Sequence, residues 1–323
     1  MTSFQAAPGL TNRHFQTLYA TFFRKLAQPK IEIQRFELAD GDFVDCHWHA
    51  KPSTNSRTPI AVLFHGLTGS YQSSYIKGIM LSLQKAGIAS VLMHFRGCSH
   101  EINRTARAYH SGDTCDAKAW IAALAQQFPN SKLFAIGYSL GGNMLLKLLA
   151  EYRNNSPLCA AVAVSAPLQL QVSAATMQRG FARVYQQHLL GLLKKSLLHK
   201  YQYHDYQALI GLSLQQAKRI SSIKQFDDLY TARIHGFADA KDYYQRCSAK
   251  QYLNHIQTNT LIIQALDDPF MTSAVLPVAE QFPATVKLEV QQHGGHLGFI
   301  SGKLWRPQYW LEPRIIDYFS SCQ

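Results

Sequence analysis

Lys132-Leu133-Phe134-Ala135-Ile136-Gly137-Tyr138-Ser139-Leu140-Gly141 runs from an apolar, strand-like segment into a glycine-flanked serine, and residues 143–150 beyond it read as a helix. A serine on a sharp turn between a buried strand and a helix has its hydroxyl lifted clear of the sheet. The flanking glycines are needed because a side chain at either position collides with neighbouring backbone. Ser139 is therefore a candidate nucleophile. Alone the pattern is weak, since a serine in such a turn can simply cap the helix. Its weight depends on whether a base, an orienting acid and an oxyanion site occur elsewhere in workable order.

Outward from that stretch, the chain alternates strand-like and helix-like segments. Residues 31–38 and 43–50 are strand-like runs joined by Ala39-Asp40-Gly41-Asp42, and an Asp-Gly pair between such runs predicts a hairpin. Ile60-Ala61-Val62-Leu63-Phe64 is an uninterrupted apolar run, as expected of a strand covered on both faces. Helices are expected over 74–85 and 113–127, with a strand over 89–95 between them and another over 160–164. The pattern then predicts a strand over 260–264, a helix over 272–281, a strand over 285–291 and a closing helix over 308–320. This alternation predicts an α/β fold: a mainly parallel sheet opening with antiparallel strands, with helices on both faces.

The alternation is interrupted between 168 and 254, where the sequence is helix-like and Leu189, Leu193 and Leu197 recur four residues apart. The expected organisation is one domain over 1–323 with a helical lid inserted at 168–254. The same leucine spacing also fits an amphipathic helix on a membrane surface. Either arrangement predicts apolar contacts to a substrate.

Two further strand ends carry the remaining chemistry. Asp268 follows the strand over 260–264, in Ala265-Leu266-Asp267-Asp268-Pro269-Phe270, and His296 lies in His293-Gly294-Gly295-His296-Leu297-Gly298 after the next strand. Carboxyl ends of parallel strands share one edge of the sheet, so both side chains are expected beside Ser139. A serine hydroxyl is a poor nucleophile at neutral pH, so His296 has to take its proton and return it to the leaving group. Asp268 would orient the imidazole and stabilise the imidazolium. Asp267 is the rival acid and His293 the rival base. Asp268 is preferred for its place before Pro269-Phe270, and His296 for the glycines around it. An oxyanion needs two backbone donors. Leu140, next to the serine, is one candidate, and Leu67 in His65-Gly66-Leu67-Thr68-Gly69 is the other.

Composition narrows the alternatives. Hydrophobic residues make up 47% and charged residues 16% of the 323 residues, an ordinary globular balance without repeats. No apolar stretch reaches the roughly 20 residues that span a bilayer, and the first residues do not read as a secretory signal, so a cytoplasmic location is expected. The six cysteines are scattered without a Cys-x-x-Cys pair, which argues against a disulfide framework or a zinc finger. Cys46, His47 and His49 could begin a metal site, but neighbours on a strand point to opposite faces, so no metal is expected. The formal charge is +12. Its dispersal, without a nucleic-acid module, argues against nucleic-acid binding and leaves room for weak attraction to anionic lipid or acidic substrates.

Taken together, Asn12-Arg13-His14-Phe15-Gln16-Thr17, His65 to Gly69, Phe95-Arg96-Gly97-Cys98, Gly137 to Met144, Asp267 to Phe270 and Gly294 to Phe299 resemble the α/β-hydrolase superfamily. More narrowly, they resemble its YheT-like branch, related to the lipid-hydrolysing ABHD proteins. The resemblance implies the α/β-hydrolase fold and a serine hydrolase acting on carboxylic esters without a cofactor, with Ser139, Asp268 and His296 as its triad. Acyl transfer through the same residues and non-catalytic lipid binding are the alternatives. Arg96-Gly97-Cys98 and the Asn12 to Thr17 segment carry no role readable from the residues, beyond an expected arm packing over the sheet or pocket.

Overall fold

The structure is a computed structural model that describes residues 4–278 and 282–322. After helix α1 (Arg13–Phe23), strands β1 (Ile31–Glu37) and β2 (Phe43–His49) form the expected hairpin. The chain continues through β3 (Ile60–Phe64), α2 (Ser74–Lys85), β4 (Ala89–Met93), α3 (Cys115–Gln127), β5 (Leu133–Tyr138), α4 (Leu140–Tyr152) and β6 (Leu158–Val164). A long helical segment intervenes before β7 (Asn259–Ala265) and β8 (Val286–Gln291). These strands form one eight-stranded sheet in the order β1-β2-β4-β3-β5-β6-β7-β8, antiparallel at β1/β2 and β2/β4 and parallel beyond.

Both sheet faces are covered, which is why β3 and β5 carry no polar alternation. Ile60, Val62 and Phe64 pack into a layer with Trp120 of α3 and Leu145 of α4, while Ala61 and Leu63 pack into the opposite layer with Ile79 of α2. The period of two thus divides one apolar strand between two cores. Each fully buried Leu, Ile or Phe in these layers contributes about 1.5–3 kcal/mol.

After β3 the chain first adds β4 on one side and then returns to add β5 on the other. Such a reversal leaves a crevice at the carboxyl ends of the two strands, where loops diverge instead of packing together. Phe64 is in register with Gly137, so the loop beginning at His65 and the turn at Ser139 leave the sheet side by side.

Two expectations near the end of the chain are corrected. Of the helix expected at 272–281, residues Ser273–Val275 form a single 3-10 turn, and Leu276 is already extended (φ −66°, ψ 134°). Pro277 accounts for this, because a proline disfavours helical geometry in the residue before it. Residues 279–281 of that expectation lie outside the described residues. The closing helix α12 is Leu311–Ser321, and the stretch before it forms an unexpected hairpin of β9 (Ile300–Lys303) and β10 (Arg306–Tyr309). No helix among the described residues is long and apolar enough to cross a membrane.

The segment between β6 and β7 is helical: α5 (Leu170–Thr176), α6 (Ala182–Lys200), α7 (Tyr206–Ile210), α8 (Leu214–Arg219), α9 (Ile223–Phe226), α10 (Ala232–Ile234) and α11 (Ala240–Cys247). It has an apolar cluster of its own that includes Leu190, Leu197, Tyr206, Phe226 and Tyr230. Lys200, 1% exposed, fastens it to the body: its Nζ donates to the carbonyls of Thr105 (2.8 Å) and Arg107 (2.7 Å). Tyr206 and Tyr230 both donate to the carbonyl of Ala106. Burial pushes the Lys200 ammonium down to about 7, only partly opposed by the nearby Asp42 carboxylate.

Arg96 has a structural role that the sequence did not disclose. It is buried and pairs with Asp116 through two bonds (2.6 and 2.7 Å), with Asp40 at 2.7 Å and with Asp42 at 3.0 Å. Asp42 also accepts from Asn103 Nδ2, the Arg104 amide and Thr105 Oγ1, and these bonds hold its carboxyl well below the ordinary range. The hairpin turn, the start of α3 and the 103–105 loop are thus tied to one guanidinium. Arg96→Met leaves Asp42 buried without its guanidinium partner and Asp116 with only Arg107 at 3.6 Å, and urea unfolding is expected to show a loss of about 3–5 kcal/mol. A loss below about 1 kcal/mol would contradict this role.

Candidate active site

Ser139 sits between β5 and α4 with φ 51° and ψ −119°, a conformation an L-residue adopts only under constraint. The Ser139 amide donates to Val164 on β6 (2.8 Å), and the Ser139 carbonyl accepts from Gly142 and Asn143 as α4 begins. Glycines make the turn sterically feasible. A Cβ on Gly137 would lie 2.5 Å from the Gly141 oxygen, and one on Gly141 would lie 2.5 Å from the His65 oxygen.

Ser139 Oγ is 3.0 Å from His296 Nε2, and His296 Nδ1 is 2.7 Å from Asp268 Oδ2. Asp268 is 1% exposed, and its other oxygen accepts the Phe270 amide at 2.8 Å. The Phe270 ring lies flat on the imidazole, centroids 4.0 Å apart, which fixes the ring plane. Asp267 turns away from this line: its Oδ1 accepts the Gly295 amide at 2.9 Å, and its Oδ2 is 3.4 Å from the exposed His293. The two adjacent aspartates therefore divide between imidazole and loop.

The glycine loop bearing His296 is clamped by the Asn12 to Thr17 segment. Asn12 caps α1 by accepting the His14 and Phe15 amides. Gln16, fully buried, donates to the carbonyls of Leu10 and Ile300 and accepts the Ile300 amide. Thr17 Oγ1 accepts the His296 amide at 2.9 Å. The approach is so close that a Cβ on Gly298 would meet the Gln16 oxygen at 2.2 Å. Sequence reasoning assigned no role to Gln16, Thr17 or Phe270. The signal available was a polar pair embedded in an aromatic helix.

Leu67 and Leu140 both line the same crevice, and among the described residues neither amide has a hydrogen-bond acceptor in the protein. Buried histidines support their loop from beneath. His65 accepts the Phe95 amide at Nε2 and donates from Nδ1 to the Gly66 carbonyl. His94 accepts the Tyr71 amide at Nε2 and donates from Nδ1 to Asp45 O. Burial pushes His65 down to about 4 and His94 down to about 3, so both are neutral at pH 7. Tyr109 stacks on Phe95 and accepts the Thr68 amide, linking this loop to the 103–109 segment ordered by Arg96.

A cavity of about 580 Å³ opens over Ser139 and His296. Leu170, Met177, Leu189, Leu193, Leu197 and Phe226 of the helical segment line it. Asn143, buried in α4, donates to the carbonyls of Ser111 and Cys247 and accepts the Ala249 amide, so the end of the helical segment is tied to the helix that follows the serine.

Among the described residues, His110, Asp113 and His235 bring potential metal-ligand atoms within 4.8 Å of one another. Arg107 already pairs with Asp113 at 3.2 Å, and His110 Nδ1 accepts the Gly112 amide, so a cation there has to displace an existing partner. Cys46 and His47 lie on opposite faces of β2: Cys46 joins the layer of Trp48, while the His47 ring lies 4.3 Å from that of His94.

The neutral histidines predict an acid limit to stability. Unfolded histidine protonates near 6.5 whereas folded His65 and His94 resist protonation, so their contribution is complete above about pH 6.5 and is lost as pH falls toward 4. Urea midpoints measured from pH 7.5 to 4.5 are expected to fall steeply below 6.5, and more shallowly in His94→Gln. Parallel profiles would refute the assignment.

Residues 59–303 match the family model described as alpha/beta hydrolase fold. Over 313 residues the chain is 48% identical to the Escherichia coli protein named "Putative esterase YheT", covering 97% of this chain and 92% of that one. It is 27% identical over 311 residues to mouse phospholipase ABHD3, covering 94% and 74%. The structure is similar to that of the Pyrococcus furiosus esterase Pf2001, with a TM-score of 0.59 at 16% identity and 90% of each chain covered.

Proposed function

The chain belongs to the alpha/beta hydrolase fold family, and from that premise we propose that it is a serine esterase with Ser139 as nucleophile, His296 as general base and Asp268 as orienting acid. The observation that carries this reading is the unbroken line from Ser139 Oγ to His296 Nε2 and from His296 Nδ1 to Asp268 Oδ2. Its distances match those required for proton transfer in a positioned nucleophile and base.

In the proposed reaction, Ser139 Oγ attacks the ester carbonyl while its proton passes to His296 Nε2. Asp268 accepts a hydrogen bond from Nδ1–H, without taking the proton, and stabilises the imidazolium. The Leu67 and Leu140 amides donate to the developing oxyanion. The tetrahedral intermediate collapses as His296 protonates the departing alkoxide, leaving acyl-Ser139. Water, deprotonated by His296, then attacks the acyl carbon. The acid is released and Ser139 regains its proton.

The helical segment 168–254 is read as a lid over this site, within a single domain. The leucines of α6 that line the cavity support it, and they favour an apolar acyl group. A cavity of this volume lies within the range of ligand pockets for small molecules.

Three measurements test the proposal. A fluorophosphonate is expected to label the wild type covalently and to leave Ser139→Ala unlabelled; equal labelling of both would overturn the assignment. Asp268→Asn is expected to lower kcat on p-nitrophenyl esters by about 10³- to 10⁴-fold, whereas Asp267→Asn costs at most about tenfold; the reverse ranking would exchange their roles. Leu193→Trp is expected to depress turnover of octanoyl esters relative to butyryl esters by about tenfold or more. An unchanged ratio would place the acyl chain elsewhere.

A further inference from the structure

Helix α1 is amphipathic in the inverted sense. Gln16 is fully buried and Thr17 is bonded to the His296 loop, while Phe15, Phe22 and Phe23 are 62%, 70% and 68% exposed. Phe15, Tyr19, Phe22 and Phe23 recur at the spacing of one helical face. Helices of water-facing proteins normally turn such a stripe inward. Here the inward positions belong to the polar clamp, so folding alone does not account for the aromatic face.

The stripe continues into neighbouring elements. Tyr19 donates to the Leu304 carbonyl in the turn of the β9–β10 hairpin, where Trp305 is 81% exposed. His14 lies against Phe181, 4.5 Å between ring centroids, and Phe181 and Val184 at the start of α6 are both more than half exposed. Segments 11–30, 179–200 and 300–308, which supply this face, contain no Asp or Glu and eleven Lys and Arg residues, of which Lys200 and Arg24 are tied inside. Arg13, Lys25, Arg183, Lys303 and Arg306 are exposed beside the aromatics.

We propose that α1, the β9–β10 turn and the first turn of α6 form a docking face for an anionic lipid surface. Exposed Phe and Trp enter the region between headgroups and acyl chains, and the basic rim pairs with anionic headgroups. The absence of acidic residues from all three segments is what selects an anionic bilayer over a neutral one. Because α6 supplies leucines to the cavity and Phe181 and Val184 to the face, the two are joined by one helix. The proposal does not rest on the esterase reading, since docking is measured without turnover.

The test is co-sedimentation of the full chain with phosphatidylcholine vesicles with and without phosphatidylglycerol. The expected result is binding to the anionic vesicles alone, weakening as salt rises to about 0.5 M, where charges are screened within a few ångström. The triple variant Phe22→Ser, Phe23→Ser, Trp305→Ser is expected to bind about tenfold or more weakly while its thermal unfolding matches wild type. Arg13→Glu, Lys25→Glu, Lys303→Glu is the second variant and is also expected to lose binding. Bound wild type should show a blue-shifted tryptophan emission that Trp305→Phe lacks while still sedimenting. Absent binding, equal binding to both vesicle types or wild-type binding by both variants would overturn the proposal. So would a dimer in light scattering that the triple variant dissociates, because a second copy would then be the occupant.

Discussion

The left-handed backbone at Ser139 is the constraint on which the surrounding structure depends. A non-glycine residue held there costs about 1–3 kcal/mol and persists only where neighbours over-determine it. Here β6 takes the amide, the first turn of α4 takes the carbonyl, Gly137 lets the start of α4 come close to the strand end, and Gly141 lets the His65 loop come to within contact of the turn. The hydroxyl direction is set by the sheet and not by a flexible loop. That rigidity is useful only if the imidazole is held to a comparable tolerance.

The imidazole is held by segments far apart in sequence. Asp268 fixes one nitrogen, Phe270 fixes the ring plane and Thr17 fixes the backbone amide of the same residue. Asp267 contributes indirectly by anchoring Gly295. Neither aspartate can perform both tasks, because adjacent side chains leaving a turn point in different directions. An Asp-Asp pair therefore serves a glycine-rich loop better than a single acid, one carboxylate setting the loop and the other setting the ring. On the opposite wall, Arg96 orders the 103–105 loop, and Tyr109, a few residues on, holds the Thr68 amide.

What could be read from sequence follows from how local each feature is. Strand β3 and helix α2 coincide with their expected ranges because apolar runs and helical periodicity are properties of a few neighbouring residues. The same holds for the serine turn, whose glycines announce a steric requirement. Arg96 was opaque because its meaning lies in Asp40 and Asp42 of the β1–β2 turn and Asp116 of α3, partners remote from it in sequence. Gln16 and Thr17 were opaque for the same reason, their partners lying some 280 residues away. The β9–β10 hairpin has only four residues in each strand, too few for alternation to register against the helix expected to start at 308. At 272–281 the local signal is Pro277, which turns Leu276 out of helical geometry.

Charge distribution follows the same logic. The protein has 20 acidic residues against 32 Lys and Arg, and several acids are committed to internal ties. Asp42 and Asp116 hold Arg96, Asp45 holds Arg35, Asp113 holds Arg107, Glu312 holds Arg24, and Asp268 holds His296. Acids used in this way are withdrawn from the surface, whereas lysines and arginines, with long stems that reach solvent, mostly remain outside. Where segments without any acid converge, at α1, the β9–β10 turn and the start of α6, the surface is both cationic and aromatic. An internal architecture that relies on carboxylates as ties and a face with none are two consequences of one allocation of charge.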